Sequence, residues 1–295
     1  MSALYQHTLA GPAIFAGVGL HTGAHVRVSI RPAPADAGIA FVRTDLPGAN
    51  RVQAFGDNVV NTRLNTVIGN TAGVTVSTIE HLMAALAALG VDNALVELDG
   101  PEVPIMDGSA EPFVQLLDRA GRRRQEAPRR RLEVLARVDV VDGDKRAWIE
   151  PCDRYELAFE IDFDSPVIGR QRVELEVTEE SFRAELSDCR TFGFLSDVEA
   201  LRQAGLALGG SLENAVVVDG DHVLNPEGLR RPDEFVRHKA LDAVGDLYLL
   251  GAPVLGRFEG VCGGHALNNA LVRELLARPN AWRWRTDSPD LAQAM

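Results

Sequence analysis

Apolar and polar residues alternate in short runs over the first part of the chain, which is the pattern of strands with one buried face. Residues 26–30 alternate, the Arg-Pro-Ala-Pro sequence at 31–34 interrupts the pattern, and residues 38–42 resume it. Residues 93–98 form another run of this kind. Because proline removes a ladder donor, we expect separate short strands here.

Two segments in the same part of the chain have helical character. The first covers about residues 78–89 and ends at Gly90, and the second covers about residues 110–120, after a turn at 104–109. Beyond His81 the first segment has no polar face, and a helix that is apolar all round is buried. We therefore expect the first helix to lie inside the molecule.

The rest of the chain repeats this mixture of elements. Strands are predicted at residues 132–141, 147–150, 155–163 and 172–177, and helices at about 195–204, 233–250 and 266–277. Each half thus has several strands and about two helices. This pattern predicts an α+β fold with two domains of similar size, each a sheet packed against helices in a two-layer sandwich.

A basic segment separates the halves. Residues 121–131, GRRRQEAPRRR, have no apolar period, which is typical of a solvated connector rather than a folded element. We place the boundary there, giving domains at residues 1–126 and 127–295. An arm that binds nucleic acid is the alternative interpretation of this segment.

Composition narrows the classes of function. The 295 residues are 46% hydrophobic and 24% charged, with a net charge of -12, which opposes broad capture of nucleic acid. We expect neither an export signal at residues 1–20 nor a membrane-spanning segment. The three cysteines are far apart and lack CxxC spacing, so a cytoplasmic protein without disulfides is expected.

Glu80 and His81 are the polar side chains at the start of the buried helix. The sequence Ser77-Thr78-Ile79-Glu80 has the form of a capping box, in which Glu80 would only close the helix. A histidine in this position is also commonly a hydrogen-bonded core residue. A role in chemistry therefore needs a second cluster.

That cluster is predicted in the helix at 233–250. His238, Asp242 and Asp246 are spaced by one turn and share a face, which is either a solvated face or half of a metal site. Adding His81 gives two imidazoles and one carboxylate, the set that leaves an open position on catalytic zinc. Glu80 can then act as general base, while His265, in a glycine-rich turn, can be charged and oriented by Asp246.

Six sequence motifs in order resemble those of the UDP-3-O-acyl-N-acetylglucosamine deacetylase family. The resemblance extends over about residues 18–277, nearly the whole chain, and the six motifs lie between residues 77 and 269. The motifs are STIEHL (77–82), EVPIMDGSA (102–110), RTFGF (190–194), LGGS (208–211), DEFVRHK (233–239) and GHALNN (264–269).

This resemblance implies zinc-dependent removal of the N-acetyl group from UDP-3-O-acyl-N-acetylglucosamine, the committed step of lipid A biosynthesis. It implies a site between the two domains, with most zinc ligands in the second. The expected zinc ligands are His81, His238 and Asp242. Glu80 would be the general base, and His265, supported by Asp246, the general acid or electrostatic partner.

The resemblance also implies substrate contacts. Thr191 would hydrogen-bond the oxyanion, Lys239 would meet the sugar or diphosphate, and His21 would lie near the phosphates. Phe163 would stack on the base, and Phe192 belongs to the same expected substrate-binding set. Residues 195–217, aliphatic and including Leu212, are core as a bare sequence, but in this family they would form the wall of an acyl-chain passage.

One position departs from many relatives, because Asn65 stands where they have a cysteine. Two further functions stay open: a zinc hydrolase of another acylated carrier, and a non-catalytic module that binds a nucleotide-lipid. The expected partner is a UDP-sugar with a fatty acyl chain, not nucleic acid, and the expected state is a monomer.

Overall fold

The computed structural model describes residues 4–286, so the first three and last nine residues of the two predicted domains lie outside the described residues. Six α-helices and several β-sheets make up this part of the chain, which confirms the predicted α+β fold. None of the helices within the described range is long and apolar enough to cross a membrane.

The elements of the first half are β1 (Tyr5–Leu9), β2 (Ala13–Val18), β3 (His25–Pro32), β4 (Ile39–Arg43), β5 (Arg51–Gln53), β6 (Val59–Asn61), β7 (Val67–Gly69), β8 (Thr75–Val76), α1 (Glu80–Ala88), β9 (Ala94–Leu98) and α2 (Glu111–Ala120). They build a five-stranded sheet, in the order β2-β3-β9-β4-β5, and a small sheet, β6-β7-β8. The rings of Phe15 and Phe113 meet edge to face, with centroids 5.5 Å apart, where α2 packs on the larger sheet.

The elements of the second half are β10 (Arg122–Pro128), β11 (Arg130–Val134), β12 (Val138–Asp142), β13 (Lys145–Glu150), β14 (Tyr155–Asp162), β15 (Arg170–Glu176), α3 (Glu179–Glu185), β16 (Phe192–Phe194), α4 (Leu195–Gln203), β17 (Val216–Asp219), β18 (His222–Val223), α5 (Glu234–Leu247), β19 (Val254–Val261), α6 (His265–Leu276) and β20 (Trp282–Thr286). Seven of these strands form a mixed sheet around β19, which pairs with β13, β11 and β14.

The two halves meet where α1 packs against α5. Leu82, Met83 and Leu86 of α1 are almost completely buried, as the uninterrupted apolar pattern predicted. Gly245 permits the close approach, because a Cβ atom there would lie 2.1 Å from the carbonyl oxygen of Glu80. The backbones of the two helices are therefore in direct contact beside their polar residues.

The connector predicted at residues 121–131 is wrong, since Arg122–Pro128 is a strand that pairs antiparallel with β1. The side chains of its arginines are exposed, so the sequence shows no alternation of apolar and polar residues. Main-chain hydrogen bonds to β1 hold the strand in place. Arg124 lies over the ring of Tyr5, 4.1 Å from its centroid. The domain boundary at 126/127 falls inside this strand and stays a prediction.

Other differences have local causes. The strand predicted at 132–141 is two strands, β11 and β12, separated by a turn. The helix α3 was missed because it is short, although Thr178 and Ser181 form a true capping box at its start. The helix α4 contains no buried residue, so the interpretation of this segment as core is wrong there.

Candidate metal centre

Three ligand atoms from the two packed helices converge on one point. His81 stands in the first turn of α1, and His238 and Asp242 stand one turn apart on α5. The Oδ1 atom of Asp242 lies 3.5 Å from Nε2 of His81 and 3.4 Å from Nε2 of His238. All three ligand atoms lie within 4.8 Å of one another, and all three residues are buried.

The chemistry of these atoms fits a metal ion. Within residues 4–286, the buried Oδ1 atom of Asp242 has no hydrogen-bond partner, which would be costly for a carboxylate unless a cation binds there. Burial opposes ionisation of Asp242, yet the nearby positive charges of Lys239 and His265 hold its pKa well below the usual value. The carboxylate is therefore available in the ionised form that metal binding requires.

His238 is held in the tautomer that a metal ligand needs. Its Nδ1 atom lies 3.0 Å from the carbonyl oxygen of Cys189. A carbonyl oxygen only accepts, so Nδ1 carries the proton and the lone pair of Nε2 faces Asp242. Burial lowers the pKa of His238 to about 3, which keeps the ring neutral.

Glu80 lies beside this cluster and is 3% exposed. The backbone N–H of Thr66 donates to Oε2 of Glu80 over 3.0 Å, while Oε1 lies 3.9 Å from Nε2 of His265. The capping-box interpretation is therefore wrong: Ile79 is the N-cap residue of α1 and Glu80 points elsewhere. Burial raises the pKa of Glu80, while His265 and His81 act against that rise.

His265 begins α6, immediately after the turn that follows β19. Its Nδ1 atom lies 2.9 Å from Oδ2 of Asp246, and its Nε2 atom lies 3.8 Å from Oδ2 of Asp242. Burial alone would lower the pKa of His265, but Asp246 and Asp242 raise it to about 9. The imidazole is therefore positively charged at neutral pH.

Thr66 connects these groups and was missed from the sequence. It is 1% exposed, and its hydroxyl donates to Oδ1 of Asp246 over 2.6 Å while lying 3.2 Å from Nδ1 of His265. Asn268 donates to the other oxygen of Asp246 over 2.9 Å. These two donors hold the oxygens of Asp246 in place. Asn268 lies within the GHALNN motif but was not assigned a role from the sequence, and Thr66 lies in none of the six motifs.

A cleft of about 370 Å³ opens above the cluster. His21, Thr191, Phe192 and Lys239 line it, together with His265, so most of the predicted substrate residues are brought together. The ammonium group of Lys239 lies 3.3 Å from Oδ2 of Asp242. The cleft wall also includes Asp142 and Lys145, which sequence analysis did not single out.

Two predicted substrate residues lie away from this wall. Phe163 packs behind it, with its ring centroid 5.7 Å from that of Phe192 and 5.9 Å from that of Phe194. Leu212 is 38% exposed, like the neighbouring apolar residues Leu195 and Leu208, and does not line the cleft.

A larger groove of about 1050 Å³ lies at the far ends of α1 and α5. Its arginines are largely matched by acids: Arg122 lies 2.9 Å from Glu179, and Arg129 lies 2.7 Å from Asp92. Such pairing leaves little net positive charge, so the groove does not favour the nucleic-acid interpretation of the basic segment.

Two imidazoles and a carboxylate around one point form a group that can hold a metal ion, and a further carboxylate and a charged imidazole lie beside it. Residues 6–277 match the family model described as LpxC: UDP-3-O-acyl N-acetylglycosamine deacetylase. The chain belongs to this family.

Relatives named UDP-3-O-acyl-N-acetylglucosamine deacetylase are similar over almost the entire chain. The protein of Phenylobacterium zucineum (strain HLK1) is 68% identical over 293 residues, which are 99% of this chain and 100% of the relative. The protein of Myxococcus xanthus (strain DK1622) is 53% identical over 281 residues, covering 95% and 89%. The protein of Acidithiobacillus ferrooxidans (strain ATCC 53993 / BNL-5-31) is 51% identical over 281 residues, covering 95% and 92%.

Proposed function

We propose that this chain hydrolyses the N-acetyl amide of UDP-3-O-acyl-N-acetylglucosamine, releasing acetate and the free amine, in lipid A biosynthesis. The observation that carries the proposal is the cluster of three buried ligand atoms at the base of a cleft, in a chain that belongs to the deacetylase family. The match over residues 6–277 includes every residue of that cluster.

The proposed metal is zinc, held by His81, His238 and Asp242. Two nitrogen donors and one oxygen donor suit zinc, and three protein ligands leave a position open for catalysis. When bound, zinc supplies Lewis-acid chemistry, which polarises a carbonyl and makes water a nucleophile near neutral pH.

Glu80 is the proposed general base. The N–H of Thr66 occupies Oε2, so Oε1, on the side of His265, remains free to take a proton from attacking water. A carboxylate whose pKa is raised by burial holds that proton better than an exposed one would.

His265 is the proposed electrostatic partner and general acid. Asp246 fixes its ring through Nδ1, which leaves the Nε2–H group to face the reacting amide. From there it stabilises negative charge on the carbonyl oxygen, with the hydroxyl of Thr191, and can protonate the departing amine.

The cleft wall offers groups for the rest of the substrate. Lys239 supplies a positive charge for the sugar or diphosphate. The N–H of Ala207 donates to Nδ1 of His21, so the proton of that neutral ring is on Nε2, a buried donor with no partner among the described residues. Burial lowers the pKa of His21, which keeps the ring neutral. We assign this donor to the phosphates.

Apolar side chains around α4 are the proposed wall for the acyl chain. Leu195, Leu208 and Leu212 are 42%, 50% and 38% exposed, and covering them with methylene groups would be favourable by about 0.8 kcal/mol per buried CH₂. Phe163, behind Phe192, is assigned to the nucleotide base. The proposal includes a cytoplasmic monomer, and the free thiols of Cys152, Cys189 and Cys262 support a reducing compartment.

The test is acetate release from UDP-3-O-acyl-N-acetylglucosamine by purified protein, after chelation and again after zinc is restored. Turnover that returns with zinc and collapses in Glu80→Ala and His265→Ala is the expected result. Metal-loaded wild-type protein that binds the substrate without releasing acetate would favour the non-catalytic module, and turnover confined to other acylated carriers would favour the alternative hydrolase.

A further inference from the structure

Thr78 adopts an unusual backbone conformation immediately before α1. Its φ angle is 56°, in the left-handed region that β-branched residues rarely adopt because the side chain collides with the backbone. The residue is 3% exposed and lies two positions before Glu80. Such a conformation persists only where the surroundings hold it in place.

Two buried side chains hold the Thr78 hydroxyl. The hydroxyl donates to Oε1 of Glu102 over 2.7 Å and accepts from the amide of Asn65 over 2.8 Å. The donor proton and one of the two acceptor lone pairs of the hydroxyl are therefore used by buried side chains. Asn65 thus acts here as a donor.

Glu102 is completely buried and joins two walls of the cleft. Besides the Thr78 hydroxyl, its oxygens accept from the backbone N–H of His21 over 2.9 Å and from the N–H and hydroxyl of Thr22 over 2.8 and 2.7 Å. Four donors on one carboxylate make a set of strong, charge-assisted hydrogen bonds. One side chain therefore fixes both the His21 turn and the Thr78 turn.

The backbone around Glu102 reinforces the same turn. The N–H of Ser77 donates to the carbonyl oxygen of Pro101 over 2.9 Å, and the N–H of Val103 donates to that of Ser77 over 3.0 Å. These hydrogen bonds fix the backbone as far as residue 77. The conformation of Thr78 then sets the direction in which the chain enters α1.

We propose that Glu102 and Asn65 are positioning residues, which hold Thr78 in its left-handed conformation so that Glu80 and His81 enter the cleft in register with α5. The inference rests on the proposed function for the roles of Glu80 and His81. The position of His81 as a metal ligand can nonetheless be tested separately, by measuring the affinity for zinc in the absence of substrate.

A different role for Thr78 has to be separated from this one. Thr78 lines the cleft, so its hydroxyl could instead contact the substrate. Two substitutions distinguish the roles, because both remove the hydroxyl but only one removes the backbone conflict. Thr78→Val keeps a β-branched side chain, whereas Thr78→Gly adopts a positive φ at little cost.

The experiment measures zinc affinity by competition with a chelator, and kcat and KM for acetate release, in the wild type and four variants. The variants are Thr78→Val, Thr78→Gly, Glu102→Gln and the double variant Glu102→Gln with Thr78→Gly. We expect Thr78→Val and Glu102→Gln to weaken zinc binding by roughly tenfold or more and to lower kcat more than they raise KM. We expect Thr78→Gly to stay within about threefold of wild type and to restore most of the affinity lost in Glu102→Gln.

Equal zinc affinity in Thr78→Val and Thr78→Gly would overturn the inference, whether both resemble the wild type or both are impaired. A rise in KM shared by both, without loss of zinc, would assign the hydroxyl to the substrate. Thermal melting of the metal-free proteins controls for folding, and the Thr78 pair decides the question even if Glu102→Gln fails to fold. Wild-type protein that binds zinc but releases no acetate would refute the proposed function and leave the affinity comparison valid.

Discussion

Gly245→Ala is expected to disturb the metal centre without changing any ligand. The new Cβ atom would lie 2.1 Å from the carbonyl oxygen of Glu80 and 3.1 Å from the backbone nitrogen of Ala84. Both atoms belong to the backbone of α1, so no rotamer change can relieve the contact. The helices must separate by more than about 1 Å to reach ordinary van der Waals distances.

The size of the effect follows from two opposing contributions. Alanine is favoured over glycine inside a helix by about 1 kcal/mol, whereas forcing extra volume into a packed core costs about 1–3 kcal/mol. The net change is a destabilisation of up to about 2 kcal/mol, or a few degrees in Tm. Metal ligands tolerate errors of only about 0.2 Å, so moving His81 away from α5 should weaken zinc binding at least tenfold, by roughly 1.4 kcal/mol or more.

The assay is chelator competition for zinc, combined with thermal melting of metal-free protein. Gly11→Ala is a matched control, because a Cβ atom there would meet only the carbonyl oxygen of Ala120, at an ordinary 3.8 Å. Wild-type zinc affinity in Gly245→Ala would show that the close approach of α1 and α5 does not set the ligand geometry.

Three further predictions concern single side chains. Arg190→Met should lower the free energy of unfolding by about 3–5 kcal/mol, because Arg190 is 2% exposed and its loss leaves the completely buried Glu234 without its ion-pair partner at 2.9 Å. Urea unfolding measures this change, and a loss below about 1 kcal/mol would contradict the prediction. Glu80→Gln should keep zinc affinity within a few-fold while acetate release falls by about 10²-fold or more, and undiminished turnover would exclude Glu80 as the base. Thr66→Val should lower the free energy of unfolding by about 1.5–3 kcal/mol, because it removes the hydroxyl that donates a hydrogen bond to buried Asp246. Thr62→Val serves as the control, and equal unfolding curves for the two variants would refute the role of Thr66.

The helices that carry the proposed metal ligands were predictable because their sequence patterns are unambiguous. The start of α1 is followed by apolar residues only, and on α5 the one-turn spacing of His238 and Asp242 places both on one face. Periodicity within a helix depends only on nearby residues. The sequence therefore indicated candidate ligands on α1 and on α5 separately, without any information on the contact between the two helices.

What the sequence did not predict depends on contacts between distant segments. Thr66 reaches Asp246 across 180 positions, and no local pattern marks such a pair. The sequence also allowed Glu80 to be interpreted as part of a capping box. Threonine usually avoids a positive φ, so nothing in the sequence indicated that Thr78 adopts one and turns the chain before α1. The strand Arg122–Pro128 was missed because its pairing with β1 uses main-chain groups and leaves its charged side chains exposed.

The most direct test of the account is the zinc content of the purified protein after dialysis, measured together with acetate release in the same samples. We expect about one zinc ion per chain in the wild type and in Glu80→Gln, with turnover only in the wild type. Asp242→Ala should lose both the metal and the turnover. An Asp242→Ala protein that keeps a full complement of zinc and releases acetate at the wild-type rate would contradict the proposed metal centre.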